Sequence, residues 1–128
     1  MLGLDTSVVV RLLVGLPEGL AKKARRRLEH AVETGERVFV SDLVIAETYF
    51  ALQHHYGVPK TRARALLKQF VDSGVVEADP PTMAADLAPA TGAGLVDRLV
   101  HSRYRALGAV TATFERKQGA PEGAARLR

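Results

Sequence analysis

The sequence predicts an α/β domain in which helices cover a mostly parallel sheet. Short apolar segments typical of buried strands alternate with longer segments whose apolar residues recur at helical spacing. Short turns join these segments, and such alternation favours parallel strands connected by helices. A chain of 128 residues is long enough for one sizeable core, so we expect a single domain over residues 1–128.

The first half of the chain is predicted to contain two strands and three helices. We expect a strand at Leu2–Leu4, then a helix with Thr6 as N-cap that reaches about Leu13 and ends in GLPEG. RVFV is predicted to be a strand, and Ser41 to cap the helix DLVIAETYFALQHHYG. Between them, LAKKARRRLEHAVETG is predicted to be helical and to stop at Gly35, because apolar residues recur at intervals of four: Leu20, Ala24, Leu28 and Val32.

The second half is predicted to continue the same alternation. KTRARALLKQFVDSG should be a helix, VVEA a short strand, PPTMAADLAP a short helix and TGAGLVDRLVHSRYRALG a longer one. AVTAT is expected to be a strand and GAARLR an edge strand. The fourth helix carries Leu66, Leu67 and Phe70 at a spacing typical of a core or an interface.

Composition narrows the class of protein. The 47% of hydrophobic residues and 25% of charged residues are typical of a soluble globular domain, and no apolar segment is long enough to span a membrane. The chain has no cysteine, which excludes disulfides and thiolate metal sites and agrees with a cytoplasmic location. Eighteen Lys and Arg against 14 Asp and Glu give a net charge of +4, which favours a polyanionic partner.

Two acids follow predicted strands. Asp5 ends the first strand, where it either caps the next helix or holds a cation, and Glu115 comes just after AVTAT. Ligands of open parallel sheets bind at the carboxyl ends of the strands, so these two carboxylates are expected to be neighbours at one edge of the sheet.

Two further acids are predicted on helices. Glu47 lies three or four residues from Leu43, Val44, Phe50 and Ala51, which predicts that it sits within the apolar stripe of its helix and needs a partner. A buried salt bridge or a place at the rim of the stripe would also explain it. Asp42, near the helix N-terminus, is expected on the opposite, polar face.

Asp97 repeats this pattern more weakly. It lies along the edge of a stripe formed by Leu95, Val96, Leu99 and Val100, early in its helix. An acid in the first turn can simply compensate the helix dipole.

Taken together, the four acids suggest a metal site. Carboxylates gathered at one point repel one another, and a divalent cation relieves that repulsion. Oxygen ligands without cysteine favour Mg²⁺ or Mn²⁺ over zinc. Thr6 or Ser7 could supply an oxygen or orient a metal-bound water, and such a site suits hydrolysis of a phosphodiester.

Four segments, in this order, resemble PIN-domain ribonucleases of the VapC toxin type: LDTSVVVRLL, VSDLVIAETYFAL, GAGLVDRLVHSRYRALGA and VTATFERK. The resemblance implies a PIN-like three-layer α/β/α domain with a mostly parallel central sheet. It also implies that Asp5, Glu47, Asp97 and Glu115 are the catalytic, metal-binding quartet of an endoribonuclease, with Ser7 and Thr113 as polar supporters. Members of the family usually form homodimers and are inhibited by a cognate antitoxin protein.

The chain departs from the family at two positions. The family usually has aspartate where this chain has Glu115, and many relatives carry an acid where this chain has Gly94. The longer side chain of Glu115 changes the reach to a second metal ion, whereas Asp5, Glu47 and Asp97 could still hold a first one. The sequence therefore also allows an attenuated enzyme, or a scaffold that binds RNA or protein without cutting.

Other functions are less favoured. A phosphatase of the haloacid-dehalogenase type needs an aspartate at the position of Ser7, which excludes it. No helix-turn-helix pattern supports a DNA-binding module. Basic residues expected to contact RNA phosphates are Arg11, Lys22, Lys23, Arg25 and Arg116.

Overall fold

A computed structural model describes residues 1–88, 92–116 and 119–128 of the chain. The described residues form six helices and five strands: β1 (Leu2–Gly3), α1 (Thr6–Val14), α2 (Glu18–Thr34), β2 (Val38–Ser41), α3 (Asp42–His54), α4 (Lys60–Val71), β3 (Glu77–Asp79), α5 (Met83–Leu87), α6 (Leu95–Ala106), β4 (Ala112–Thr113) and β5 (Ala125–Arg126). The predicted elements are all found, in order. The predicted last residue of the fifth helix, Pro89, and the predicted first residue of the sixth, Thr91, lie outside the described residues. Lys117 of the segment VTATFERK also lies outside them.

The central sheet contains three parallel strands. Its order is β1-β2-β3, with Leu2 paired to Val38 and Val40 paired to Ala78. Helix α1 packs on both α2 and α3, and the packing then continues along the chain from α3 to α4, α5 and α6. This arrangement is consistent with the predicted three-layer α/β/α fold.

The last two strands do not join the central sheet. β4 and β5 pair with each other in a separate parallel ribbon, with Ala112 opposite Ala125. The expectation that Asp5 and Glu115 follow strands of one sheet is therefore wrong for the described residues. Each of these strands has only two residues, which is too short for an apolar pattern to specify a partner.

The core is built from aliphatic side chains of the sheet and of the helix faces that cover it. Val9, Val40, Ile45, Leu52 and Leu67 are fully buried. Leu67 therefore belongs to the core, and Phe70 packs against it half-buried. In this arrangement α4 contributes to the core of its own chain.

Two predictions about the first helices are wrong. The N-cap of α1 is Asp5 and not Thr6, because Oδ1 of Asp5 accepts from the Thr6 backbone N–H at 2.7 Å. This is the capping role that the sequence left open for Asp5. In α2 the buried residues are Ala21 and Ala31, whereas Leu20 and Val32 are 49% and 60% exposed. Small residues let α2 approach its neighbours closely and leave much of the predicted stripe in solvent.

The predicted cap of α3 is confirmed. Ser41 has extended backbone angles, and its Oγ accepts from the backbone N–H of Val44 at 3.2 Å. We expect Ser41→Ala to lower the free energy of unfolding by about 1 kcal/mol, since a free N–H of the first turn loses its acceptor. Urea denaturation would measure this, and Ser73→Ala, which removes a longer bond from the Val75 N–H in an exposed turn, should lower the stability less. Equal stability of the Ser41→Ala and wild-type proteins would contradict it.

One partly buried carboxyl predicts a pH dependence. Burial raises the pKa of Asp86 on α5 above its ordinary value of 3.8, and its Oδ2 is buried without a hydrogen-bond partner among the described residues. Such a group binds its proton more tightly when folded, so its contribution to stability is fully present below the unfolded pKa and is lost as the pH rises through the folded pKa. We expect Asp86→Asn to be more stable than wild type at neutral pH.

That difference should narrow as the pH falls towards the unfolded pKa, because the wild-type carboxyl then becomes protonated as well. Denaturation of both proteins from neutral pH downward would measure it, with the exposed Glu33→Gln as the control. A difference that widens at acidic pH would contradict the assignment.

Candidate metal-binding and nuclease site

The site begins where β1 passes into α1. Asp5 follows the buried Leu4, and its exposed carboxylate lies at the N-terminus of α1, where the helix dipole favours a negative charge. Besides the cap to Thr6, Oδ2 accepts from the Ser7 hydroxyl at 3.2 Å. Both carboxylate oxygens are therefore oriented by the two residues that follow.

Thr6 joins Asp5 to Glu47. The Thr6 backbone N–H donates to Asp5, while its hydroxyl donates to Oε1 of Glu47 at 3.1 Å. One residue thus holds two of the four predicted acids on the same side of the molecule. Thr6 and Ser7 both act as hydrogen-bond donors to carboxylates, and their role beside a metal-bound water stays a prediction.

The predicted position of Glu47 on α3 is wrong. Its side chain is exposed, on the same helix face as Leu43 and Phe50, which are 75% and 59% exposed. The buried face of α3 carries Ile45, Thr48 and Leu52 instead. Nearly every position of α3 before the last turn is apolar or small, so periodicity alone did not identify the inward face.

Asp42 is the acid of α3 that is actually buried. It is 9% exposed, and Arg103 of α6 donates to both of its carboxylate oxygens, from Nε at 2.9 Å and from Nη2 at 2.8 Å. The hydrogen bonds that Arg103 donates to Asp42 raise the pKa of Arg103. This pair joins the beginning of α3 to α6, the helices that carry Glu47 and Asp97. The expectation that Asp42 lies on the solvent-facing side of α3 is therefore wrong, because Arg103 pairs with its carboxylate inside the fold.

Asp97 is exposed in the first turn of α6. The stripe predicted beside it is half correct, because Leu95 and Leu99 are buried but Val96 and Val100 are exposed. The helix begins after Gly94, where an added Cβ would lie 3.6 Å from Oδ2 of Asp97, an ordinary contact. An acid at position 94 would thus have stood directly beside Asp97.

Glu115 is exposed just after β4. Its backbone N–H donates to the Thr113 hydroxyl at 3.0 Å, so Thr113 supports the turn rather than the carboxylate. An added Cβ at Gly119 would lie 3.1 Å from Oε2 of Glu115, which places that carboxylate close to the backbone of the following loop.

The donor chemistry of the four acids suits a divalent cation, but their arrangement is incomplete. In the ranges 1–88, 92–116 and 119–128, no three Asp, Glu, His or Cys side chains are grouped so that they could hold a metal ion. Asp5 and Glu47 meet through Thr6, and no described contact joins Asp97 or Glu115 to them. As placed, these residues do not form a complete metal site.

The basic candidates separate into two groups. Arg11 and Lys23 line one cleft between α1 and α2, and the guanidinium of Arg11 donates to the Tyr56 hydroxyl at 3.1 Å. Lys22, Arg25 and Arg116 are exposed and do not line that cleft. Among the described residues, no helix is both long and apolar enough to cross a bilayer.

The described residues combine a parallel α/β fold with exposed acids after the first strand and on two neighbouring helices. The PIN domain family model matches residues 3–121, so the chain belongs to the PIN domain family. PIN domains are typically metal-dependent nucleases. Comparison with curated proteins and with solved structures gives no significant match.

Proposed function

We propose that this PIN domain is an Mg²⁺- or Mn²⁺-dependent endoribonuclease and the toxin of a toxin–antitoxin pair, acting in the cytoplasm. The observation that supports this best is the pair of hydrogen bonds that Thr6 donates. They orient the carboxylates of Asp5 and Glu47 together at the end of β1. Asp97 and Glu115, exposed on α6 and after β4, are the further ligands in this proposal.

The protein groups have separable roles in this proposal. Asp5 is held at a helix N-terminus by Thr6 and Ser7, and Glu47 is held by Thr6, so both carboxylates need little reorganisation to act together. A divalent cation, when bound, lowers the pKa of water and stabilises charge on a leaving oxygen. Basic side chains such as Arg11 and Lys23 provide affinity for RNA phosphates without regard to sequence.

RNA cleavage tests this function directly. The purified protein would be incubated with a mixed cellular RNA pool in Mg²⁺, in Mn²⁺ and in a chelator, beside an Asp97→Asn variant. We expect discrete fragments that require the metal and disappear in the variant. Calorimetric titration with Mn²⁺ would show binding to wild type and weaker binding to the variant, whereas metal-independent cleavage would contradict the proposal.

A second candidate is a PIN scaffold that binds RNA or protein without cutting. It is favoured by the absence of a three-acid group from the described residues and by Gly94 and Glu115. The variant Gly94→Asp/Glu115→Asp distinguishes the two functions. Cleavage that begins only in this variant would indicate an attenuated scaffold, and cleavage by wild type would indicate the enzyme.

We also propose that the protein forms a homodimer and is inhibited by a cognate antitoxin that blocks cleavage. A hollow of about 400 Å³ lies between α3 and α6, and the apolar side chains beside it are exposed: Leu43, Val96, Val100 and Tyr104. Contiguous exposed apolar surface is typical of an interface.

Substitution of an apolar residue on this surface tests the dimer. We expect Val100→Glu to convert the dimer to a monomer in light scattering, since it would place a charge within the apolar contact. Val32→Glu on α2 is the control, because Val32 is also exposed but lies on another helix. A dimer that persists in Val100→Glu, or a wild-type monomer, would contradict this interface.

A further inference from the structure

A cleft of about 380 Å³ opens between the end of β1, α1 and α2. Its apolar floor is formed by Leu4 and Val8 together with Leu20, Ala24 and Leu28 along one side of α2. Leu20 is 49% exposed, so part of this floor lies uncovered. The volume lies in the range of sites that bind small ligands, roughly 300–1,000 Å³.

The walls of the cleft are basic. Arg11, Lys23 and Arg27 line it, and no carboxylate is among its described lining residues. Arg27 forms an ion pair with Glu36 at 2.7 Å, whereas the Tyr56 hydroxyl fixes Arg11 without neutralising it. A concave surface with one sign of charge concentrates ligands of the opposite sign. The occupant should therefore be an anion with a sizeable apolar or aromatic part.

The cleft also adjoins the candidate nuclease site. Ser7 lines it and donates to Oδ2 of Asp5 at 3.2 Å. A ligand seated against Ser7 would thus be one side chain away from Asp5. An RNA strand passing Asp5 would reach the cleft with a neighbouring nucleotide.

We propose that this cleft binds one unpaired nucleotide of the RNA substrate, and this inference rests on the proposed function. The base lies on the apolar floor of α1 and α2, and its phosphate contacts Arg11 and Lys23. Proteins that read single-stranded RNA receive unstacked bases against aromatic side chains or an arginine plane, and here Arg11 and Arg27 offer such planes beside the aliphatic floor. This cleft is then a place where the enzyme distinguishes one RNA sequence from another.

Two adjacent lysines of α2 supply a matched pair for testing the phosphate contact. Lys23 lines the cleft and Lys22 does not, although both are exposed. Lys23→Glu and Lys22→Glu change the net charge equally, so any difference between them is local. We expect Lys23→Glu to weaken binding of a fluorescent single-stranded RNA about tenfold, and Lys22→Glu to weaken it no more than about threefold.

A third variant tests the base contact without changing charge. Ala24→Trp fills the cleft from its floor, and thermal unfolding would verify that this variant is folded. Wild type should bind an RNA about tenfold more tightly than an abasic strand of equal length, because the abasic strand has no base to place on the floor of the cleft. Ala24→Trp should lose that preference, and Leu20→Trp at the mouth of the cleft provides a second test if Ala24→Trp does not fold.

Binding is measured by anisotropy in a chelator, so that the RNA stays intact and the result does not depend on cleavage. Equal losses in Lys23→Glu and Lys22→Glu, or an unchanged base preference in the folded tryptophan variant, would overturn the assignment and leave the cleft for a protein partner. If wild type cleaves RNA but Lys23→Glu and Lys22→Glu bind RNA equally, only the cleft assignment is rejected. If the variants differ in RNA binding as expected but wild type cleaves no RNA, the cleft assignment is supported and the nuclease function is rejected.

Discussion

Replacing Asp5 with asparagine is expected to reduce RNA cleavage by at least about 100-fold, the scale of losing one group that stabilises charge during the reaction. Asparagine has nearly the same shape and is itself a good N-cap, so the bond from the Thr6 N–H can remain. Asp5→Asn removes the negative charge beside Glu47. Any set of ligands that binds a cation at this point requires that charge. The rate of fragment formation at saturating Mn²⁺ measures the effect.

The control for Asp5→Asn is Glu33→Gln, which removes an exposed carboxylate from α2. Its cleavage rate should match that of wild type. Thermal unfolding should show similar midpoints for all three proteins. If Asp5→Asn cleaves RNA at the wild-type rate while remaining folded, the site at the end of β1 is not the nuclease centre.

Removing Arg103 is expected to produce the largest loss of stability among the ion-pair substitutions. Arg103→Ala leaves the carboxylate of Asp42 largely buried, with the backbone N–H of Leu43 as its remaining described donor. Breaking a fully buried pair costs about 3–5 kcal/mol, and the partial exposure of Arg103 reduces the expected loss to about 2 kcal/mol. Because this pair joins α3 to α6, the variant should also bind Mn²⁺ more weakly.

The chain contains a matched surface pair for comparison with Arg103. Arg37 donates to both oxygens of Glu77 at 2.9 and 2.8 Å, but their side chains are 61% and 48% exposed. Water and salt screen such a pair, so Arg37→Ala should lower the denaturation midpoint less than Arg103→Ala, although it also removes the guanidinium from above the Phe39 ring. Equal midpoints for Arg103→Ala and Arg37→Ala would show that burial of Asp42 does not govern the strength of its ion pair.

Much of the fold could be predicted because it depends on local chemistry. Ser41 caps α3 as expected, since an N-cap needs only a short side-chain acceptor and the backbone that follows it. The order of strands and helices was also predictable, because apolar periodicity and turn residues act over a few neighbouring positions. Asp5 could be placed at the end of β1 for the same reason.

The positions of the acids depended on contacts between distant segments. The sequence of α3 is apolar on several sides, so only the packing of Ile45 and Leu52 decides that Glu47 faces out and Asp42 faces in. Asp42 can be buried because Arg103, 61 residues later, donates to it twice. The pairing of β4 with β5 was likewise undetermined, since two-residue strands carry no register information.

The sequence by itself determined the PIN-type order of elements, the four candidate acids and the surplus of positive charge. Only the tertiary structure decided that Thr6 joins Asp5 to Glu47, and that Arg11 and Lys23 share a cleft beside them. The physical reason is the range of the interactions. Propensity, capping and periodicity act along the chain, whereas burial and charge pairing depend on which segments meet in space.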